Sequence, residues 1–358
     1  MKAVIQNKDM ITGLTSVQNT IGKDSAIPVL GNVRIEFSGD KARLTTTSLD
    51  MTTTVDVAAD VEKEGVTTVD ARRLFVIAKE LNGLSMEITL SKNVLKITCA
   101  DSEFKLSVID AEEFPTVSHN DGGALIMLES SVLHNALASV IHAAGKTGSR
   151  EQLTGIYFEC AESNIRAVGT DGRRLSIYED SAFEATTKFI LPRLAVLALM
   201  KLLSSGHVTI IPTGNLATFA IGQTTFTTKL IEGSYPNYKQ VIPAQAKHSL
   251  TIDRNLFLAA ISRVALMTAE ESKTLDITID DNNLTLHSAT NERGEATESV
   301  NINFSGEKVK VNINPEYLSD AVRATDEDEL TLNIMSATEP VVIKAGSKFT
   351  GVIMTQRV

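Results

Sequence analysis

Cysteine is nearly absent from this 358-residue chain: there are two, Cys99 and Cys160. They lie far apart on strand-like stretches and read as buried, reduced thiols of a cytoplasmic protein rather than as a disulfide framework. No apolar run approaches the roughly 20 residues that span a bilayer, and the opening MKAVIQNKDM has no apolar signal core. Six histidines are scattered without metal-ligand spacing to a second ligand, and no H-E-x-x-H, paired C-x-x-C or G-x-S-x-G occurs. Gly145-Lys146-Thr147 imitates the end of a phosphate-binding loop. The glycine such a loop needs five residues earlier is Val140, and the triplet follows a helix instead of opening one. Asp171, in Thr170-Asp171-Gly172, reads as a turn residue rather than a catalytic acid. These absences argue against an enzyme, and no metal or cofactor is expected. Positive charge is also in the minority, with 34 Lys and Arg against 44 Asp and Glu, net −10. A nucleic-acid role would need a local basic surface.

What is present is repetition. Thr187 to Leu203 reads as a short strand, Phe189 to Leu191, running into a helix. Pro192 pre-sets a first helical turn, and the apolar positions after it recur at helical spacing. The same unit stands at Thr67 to Leu81 and at Lys310 to Ala324. A related unit stands at Lys2 to Ile21, Leu125 to Ile141 and Ser249 to Leu266. The helix starts expected at Lys8, Ser130 and Arg254 are 122 and 124 residues apart. Those at Arg72, Arg193 and Pro315 are 121 and 122 apart, and the gaps within each pair are 64, 63 and 61. Such regularity marks a threefold repeat of a two-part unit.

A hydrophobic content of 43% supports ordinary cores, and the length suits two or three domains. The expected domains are 1–121, 122–244 and 245–358. The turn-rich Asn120-Asp121-Gly122-Gly123 marks the first boundary, and Pro236 and Pro243 mark the exit from the second. Between the helices lie short β-branched segments: Val33 to Phe37, Ala42 to Thr47, Thr52 to Val57, Met86 to Leu90, Val94 to Cys99 and Phe104 to Ile109 in the first repeat. A hairpin of Ile165 to Gly169 and Arg174 to Tyr178 turns at Asp171-Gly172. Strands this closely spaced must pair antiparallel. Each repeat is then two β-α-β-β-β halves of an α+β fold, with its two helices on one side and antiparallel sheets on the other. The acidic run Asp326 to Glu329 reads as a solvated turn.

Charge follows this division. The helical segments 8–21, 72–82, 130–146, 193–203, 254–266 and 315–324 carry ten basic and four acidic residues, net +6, which leaves −16 on the rest of the chain. If the helices share one face, that face is positive. Such a face would bind phosphate backbones without reading sequence.

At Gly169-Thr170-Asp171-Gly172-Arg173-Arg174-Leu175 the chain resembles the bacterial DNA polymerase III beta subunit family, the sliding clamps, whose pattern there is A-T-D-G-[HR]-R-L. Glu232-Gly233-Ser234-Tyr235-Pro236-Asn237-Tyr238 is similar to the family's [DE]-G-x-[FY]-P-x-Y. Ile27 to Asn32 and Leu44 to Asp50 look like its first domain. The resemblance covers the full chain. Two departures stand out: the tail is Met354-Thr355-Gln356-Arg357-Val358 where the family has M-P-M-[RK]-L, and Gln240 stands where an arginine is common.

The resemblance implies a DNA-clamp fold in a head-to-tail dimeric ring, helices inside and sheets outside, that encircles duplex DNA and tethers the replicative polymerase. Implied partners are duplex DNA, a second copy of the chain, the polymerase, the clamp loader and other clamp-binding proteins. It implies a peptide groove using Leu153, Thr170, Gly172, Arg173, Arg174 and Leu175, with Pro236, Val241, Val352 and Met354, and Gln240, Gln356 and Arg357 at its rim. It places Lys23, Arg72, Arg73, Lys79, Lys146, Arg150, Arg193, Lys201 and Arg254 toward DNA, with Asp24 where the family has an arginine beside Lys23. It places Phe104, Leu106, Leu266, Met267, Glu298 and Val300 at the dimer interface. Two alternatives remain open: an enzyme with an unrecognised site in the inter-domain groove, and a clamp relative whose altered tail serves a different partner set.

Overall fold

The computed structural model describes residues 1–22, 27–115, 125–148, 150–161, 164–181, 186–268, 273–290 and 294–356. The first half-repeat is β1 (Lys2–Gln6), α1 (Asn7–Val17), β2 (Asn32–Ser38), β3 (Lys41–Thr47) and β4 (Met51–Ala58), followed by a short extra strand, β5 (Asp60–Lys63). The second is β6 (Gly65–Asp70), α2 (Ala71–Glu80), β7 (Ser85–Ser91), β8 (Val94–Cys99) and β9 (Ser102–Ile109). The third is β10 (Ile126–Glu129), α3 (Ser130–Ile141), β11 (Gly155–Ala161), β12 (Asn164–Thr170) and β13 (Arg174–Ser181). The fourth is β14 (Thr187–Pro192), α4 (Arg193–Met200), β15 (His207–Thr213), β16 (Leu216–Ile221) and β17 (Thr224–Lys229). The fifth is β18 (His248–Asp253), α5 (Arg254–Val264), β19 (Leu275–Asp280), β20 (Asn283–Thr290) and β21 (Gly294–Asn301). The sixth is β22 (Val309–Ile313), α6 (Pro315–Arg323), β23 (Glu329–Ile334), β24 (Val341–Ala345) and β25 (Phe349–Ile353).

Every expected helix start is met to within one residue. Several are set by a cap at the end of the preceding strand. Asp70 accepts the Arg73 amide at 2.6 Å, Asp253 that of Leu256 at 2.8 Å, and Asn314 those of Glu316 and Tyr317 at 2.9 and 3.4 Å. Each such cap is worth about 1 kcal/mol. The expected break at Asn120 to Gly123 lies outside the described residues.

The chain packs as two compact units, Met1–Ser131 with Leu197–Leu230, and Val132–Val196 with Ile231–Val358. The first contains one sheet of order β10-β15-β16-β17-β4-β3-β2-β6-β9-β8-β7-β1-β5. The second contains two, β14-β11-β12-β13-β25-β24-β23-β18 and β21-β20-β19-β22. One rule runs through both units: the two halves of each repeat exchange their first strands. β1 pairs with β7 and β6 with β2; β10 pairs with β15 and β14 with β11; β18 pairs with β23 and β22 with β19. A half-repeat therefore cannot complete its sheet alone.

In the first unit Ile5, Met10, Leu14, Phe37, Leu44, Leu74 and Met86 share one core. In the second, Phe257, Ile261, Ile277, Leu284, Leu318 and Leu332 share another. Each such side chain contributes roughly 1.5–3 kcal/mol by burial. Cys99 and Cys160 are buried and unpaired. Burial pushes the Cys160 thiol up to about 11, so it stays protonated and inert.

Candidate functional site

The motif that carries the resemblance builds a rigid turn. Thr170 Oγ1 accepts the Gly172 amide at 3.1 Å and donates to the Arg174 carbonyl at 2.6 Å. Asp171 Oδ1 accepts the amides of Arg173 and Arg174 at 2.9 and 3.0 Å, so this carboxylate closes the turn, as expected of a turn residue. Gly172 sits at φ +85°, a conformation that favours glycine. A Cβ at Gly169 would collide with the Val140 carbonyl oxygen, so glycine is what lets the end of α3 close on β12.

Arg174 ties this turn to α6. Its guanidinium donates to Asp171 at 3.1 Å and to Asp320 at 2.7 Å, and lies 4.4 Å from the centre of the Tyr317 ring. The Met354 amide donates to the Arg173 carbonyl at 3.0 Å, which brings the chain end to the same place.

Behind the turn, β13 pairs with β25, and Leu175 stands opposite Val352. These two share a cluster with Val168, Ile177, Tyr238 and Val342, against which Tyr157, Tyr235 and Ile242 pack. At its edge two large apolar side chains face solvent, Val241 at 48% and Met354 at 42% exposure. Pro236 and Leu153 are half-buried, while Gly172, Arg173 and Gln240 are exposed. Gln356 is half-buried, its amide bonded to the Asn312 carbonyl at 2.8 Å, so the backbone of the altered tail is tethered. Arg357 lies outside the described residues. The result is an apolar cluster with two exposed apolar side chains at its edge, beside a polar, hydrogen-bonded turn. Tyr157, Tyr238, Ile242, Tyr317 and Asp320 belong to this site and are missed from the sequence. The spacing of Tyr235 and Tyr238 around Pro236 was the available signal for that wall.

The other strand junction shows why the apolar cluster is particular to this place. β4 pairs with β17 as β13 pairs with β25. Thr47 repeats the bonds of Thr170: it accepts the Leu49 amide at 3.1 Å and donates to the Met51 carbonyl at 3.1 Å. Where Leu175 faces Val352, Thr52 faces Thr227. The counterpart of Met354 is Lys229, held by Asp50 at 2.9 Å. The frame is retained and the apolar contacts are replaced.

Beneath the turn, His142 Nδ1 is buried without a hydrogen-bond partner among the described residues. Burial, reinforced by the Arg174 guanidinium, pushes its pKa from 6.5 down to about 4. Between these values the unfolded chain binds a proton that the folded chain refuses. Stability therefore falls as pH drops from 6.5 through about 4, and the full loss is roughly 3 kcal/mol. His142→Gln should flatten urea-derived stability across that window relative to the unsubstituted protein. Parallel profiles would contradict a buried neutral imidazole.

The expected DNA-facing cations differ in availability. Arg72, Arg73 and Lys79 are exposed on α2, with Lys79 Nζ 4.6 Å above the Phe75 ring. Lys146 and Arg150 are exposed. Lys201 is exposed and donates to Asn19 at 3.0 Å. Arg193 is half-buried and donates to the Ile141 carbonyl, so its guanidinium is partly spent on the fold. Arg254 is half-buried as well, and Lys23 and Asp24 lie outside the described residues. The Gly145 amide is bonded to the Leu153 carbonyl at 2.8 Å, which engages the loop after α3 as structure.

Among the expected interface residues, Leu266 is 69% exposed in the turn after α5, and Met267 and Phe104 are half-buried. Leu106 and Val300 are buried at 7% and 9% exposure and pack inside their own chain. Glu298 is paired in-chain with Arg263, which holds its carboxyl below the usual range. The strands β9 and β21 thus offer chiefly backbone and their outward side chains.

Three family descriptions match the chain: DNA polymerase III beta subunit N-terminal domain over residues 1–118, central domain over 127–237, and C-terminal domain over 239–357. A protein named beta sliding clamp from Caulobacter vibrioides is 29% identical over 332 residues, 89% of each chain. Another of that name from Chlamydia muridarum is 28% identical over 364 residues, covering 100% of this chain and 99% of its own. The crystal structure of the DNA polymerase III subunit beta from Pseudomonas aeruginosa superposes with a TM-score of 0.96 at 26% identity, over 100% of both chains. The DNA polymerase sliding clamp from Bacillus subtilis gives 0.96 at 22% identity, over 100% of this chain and 99% of its own, and so bears on fold alone.

Proposed function

The chain belongs to the DNA polymerase III beta subunit family, and from that premise we propose that it is a DNA sliding clamp. It is a ring of two copies that encircles duplex DNA and tethers the replicative polymerase. It is a processivity factor and not an enzyme. Its three domains lie near 1–121, 122–244 and 245–358, it works in the cytoplasm, and its helices line the hole. The groove beside Leu175 and Val352 takes peptides from the polymerase, the clamp loader and other clamp-binding proteins.

An unfinished pattern in the strand ladders carries this reading. The last strand of the first half of one repeat pairs with the last strand of the second half of the next: β4 with β17, and β13 with β25. The third such pair would be β21 with β9. Among the described residues β21 pairs only with β20, and β9 with β8 and, over two residues, with β6. A second copy, placed head to tail, completes the pattern and covers both edges.

The register of this third ladder follows from the other two. Stepping across the paired strands from the residues before each helix puts Glu295 at the place of Thr52 and Leu175. By the same correspondence Lys105 stands at the place of Thr227 and Val352. Glu295 of one copy then faces Lys105 of the next, and Ala296 faces Phe104. Both charged residues are exposed in the single chain.

Contact with DNA is weak and independent of sequence. Replacing Arg72, Arg73 and Lys79 together by Ala should flatten the dependence of log affinity on log salt by up to about 3, near 0.9 per phosphate contact. Arg193→Ala should move it far less. Equal effects from both would count against α2 as the main contact. Retention on circular but not linear DNA tests the proposal as a whole.

A further inference from the structure

We infer that Tyr157 is a positioning residue for the peptide groove, setting through Tyr235 and Tyr238 the wall that carries Pro236 and Val241. This rests on the groove reading above and adds to it a residue that lies outside the groove motifs.

Tyr157 stands on β11, where the burial alternates and its ring falls on the less covered face. It stacks on Tyr235, centroids 5.2 Å apart and planes 19° from parallel. It also meets Tyr238 at 6.3 Å, and Tyr235 meets Tyr238 edge-on at 6.4 Å. Ring pairs in these geometries attract one another beyond what their burial alone gives. The segment they hold has no strand pairing of its own. From Glu232 to Asn237 it is irregular, followed by one short turn, Tyr238–Val241.

The wall depends on that hold. The Tyr238 amide bonds the Pro236 carbonyl at 2.8 Å, and the Tyr235 hydroxyl donates to the Val168 carbonyl at 3.4 Å. Tyr238 is buried at one end of the turn, and Val241 faces solvent at the other. Removing the Tyr157 ring takes away the surface on which Tyr235 lies flat. Pro236 and Val241 then lose their fixed distance from Leu175 and Val352, and a peptide anchor must order them on binding.

The test uses the full-length protein and a fluorescein-labelled Gln-Leu-Ser-Leu-Phe peptide in fluorescence anisotropy. Tyr157→Ala should weaken binding about tenfold, while Tyr157→Phe, which keeps the ring, should stay within about twofold. In a Val241→Ala background, Tyr157→Ala should cost less than about threefold more, because its effect runs through the wall. A general structural role would give additive losses. The chain has no tryptophan and five tyrosines, three of them in this cluster, so intrinsic fluorescence reads the stack directly. Should Tyr157→Ala not fold, Tyr157→Leu serves, with an expected loss of about fourfold. Additive losses, or unchanged affinity in a folded variant, overturn the inference and leave the groove reading intact. Unchanged affinity in Met354→Asp overturns the groove reading itself.

Discussion

Leu266→Asp is expected to convert the protein from dimer to monomer without unfolding it. In a single chain Leu266 is 69% exposed, so a carboxylate there meets water and the domain core is untouched. Its turn, Ala265–Met267, packs beside β20 and β21, and β21 is the outermost strand of its sheet. The proposed interface covers the same side chain, twice per ring, because a head-to-tail pair has two equal interfaces. Losing two buried leucines costs about 3–6 kcal/mol, or a factor of roughly 10² to 10⁴ in the dissociation constant. Burying two carboxylates adds to that. Light scattering with matched circular dichroism reads the outcome. Charge reversal supplies an independent check of register. Lys105→Glu should weaken the dimer by placing like charges opposite each other, and Glu295→Lys in the same chain should restore it. A double variant as weak as the single one would put the register, though not the dimer, in error.

Val241→Asp is expected to reduce clamp-peptide affinity by about a hundredfold and Met354→Ala by about tenfold, both with dimerisation intact. Both side chains stand at the groove edge with nearly half their surface free, so neither change opens a cavity in the core. The larger effect of Val241→Asp has two sources, the lost apolar contact and the cost of desolvating a carboxylate under the bound anchor. Deleting residues 355–358 should alter the ranking among peptides, since Thr355 and Gln356 replace the apolar Pro-Met of the family pattern. Isothermal titration with Leu- and Phe-bearing peptides distinguishes these outcomes. Unchanged affinity in both point variants would move the partner site elsewhere.

The helix starts are legible in the sequence because their signals are local: Asp70, Asp253 and Asn314 cap the next turn, and Pro315 opens it. The hairpin at Asp171-Gly172 is legible for the same reason. β5 is not, since Asp60 to Lys63 holds a single apolar residue, the half-buried Val61, and so shows no alternation. The exchange of first strands is also hidden. It joins residues such as Lys2 and Thr89, whose pairing leaves no periodic trace. At the site, Leu175, Val352 and Met354 are legible by position within the family pattern. The spent guanidinium of Arg193 and the buried neutral ring of His142 are not, because each depends on what α3 and the Asp171 turn bring beside it. Tyr157 reads as one more outward residue of a strand until Tyr235 lies on it.

The central claim, a ring closed around duplex DNA, is tested most directly by retention on DNA of two topologies. The protein is loaded onto nicked circular duplex and passed through a sizing column at a salt concentration that strips ordinary phosphate contacts. It should elute with the circles and be lost when a single cut makes them linear. Equal retention before and after the cut, or equal loss, would contradict topological binding.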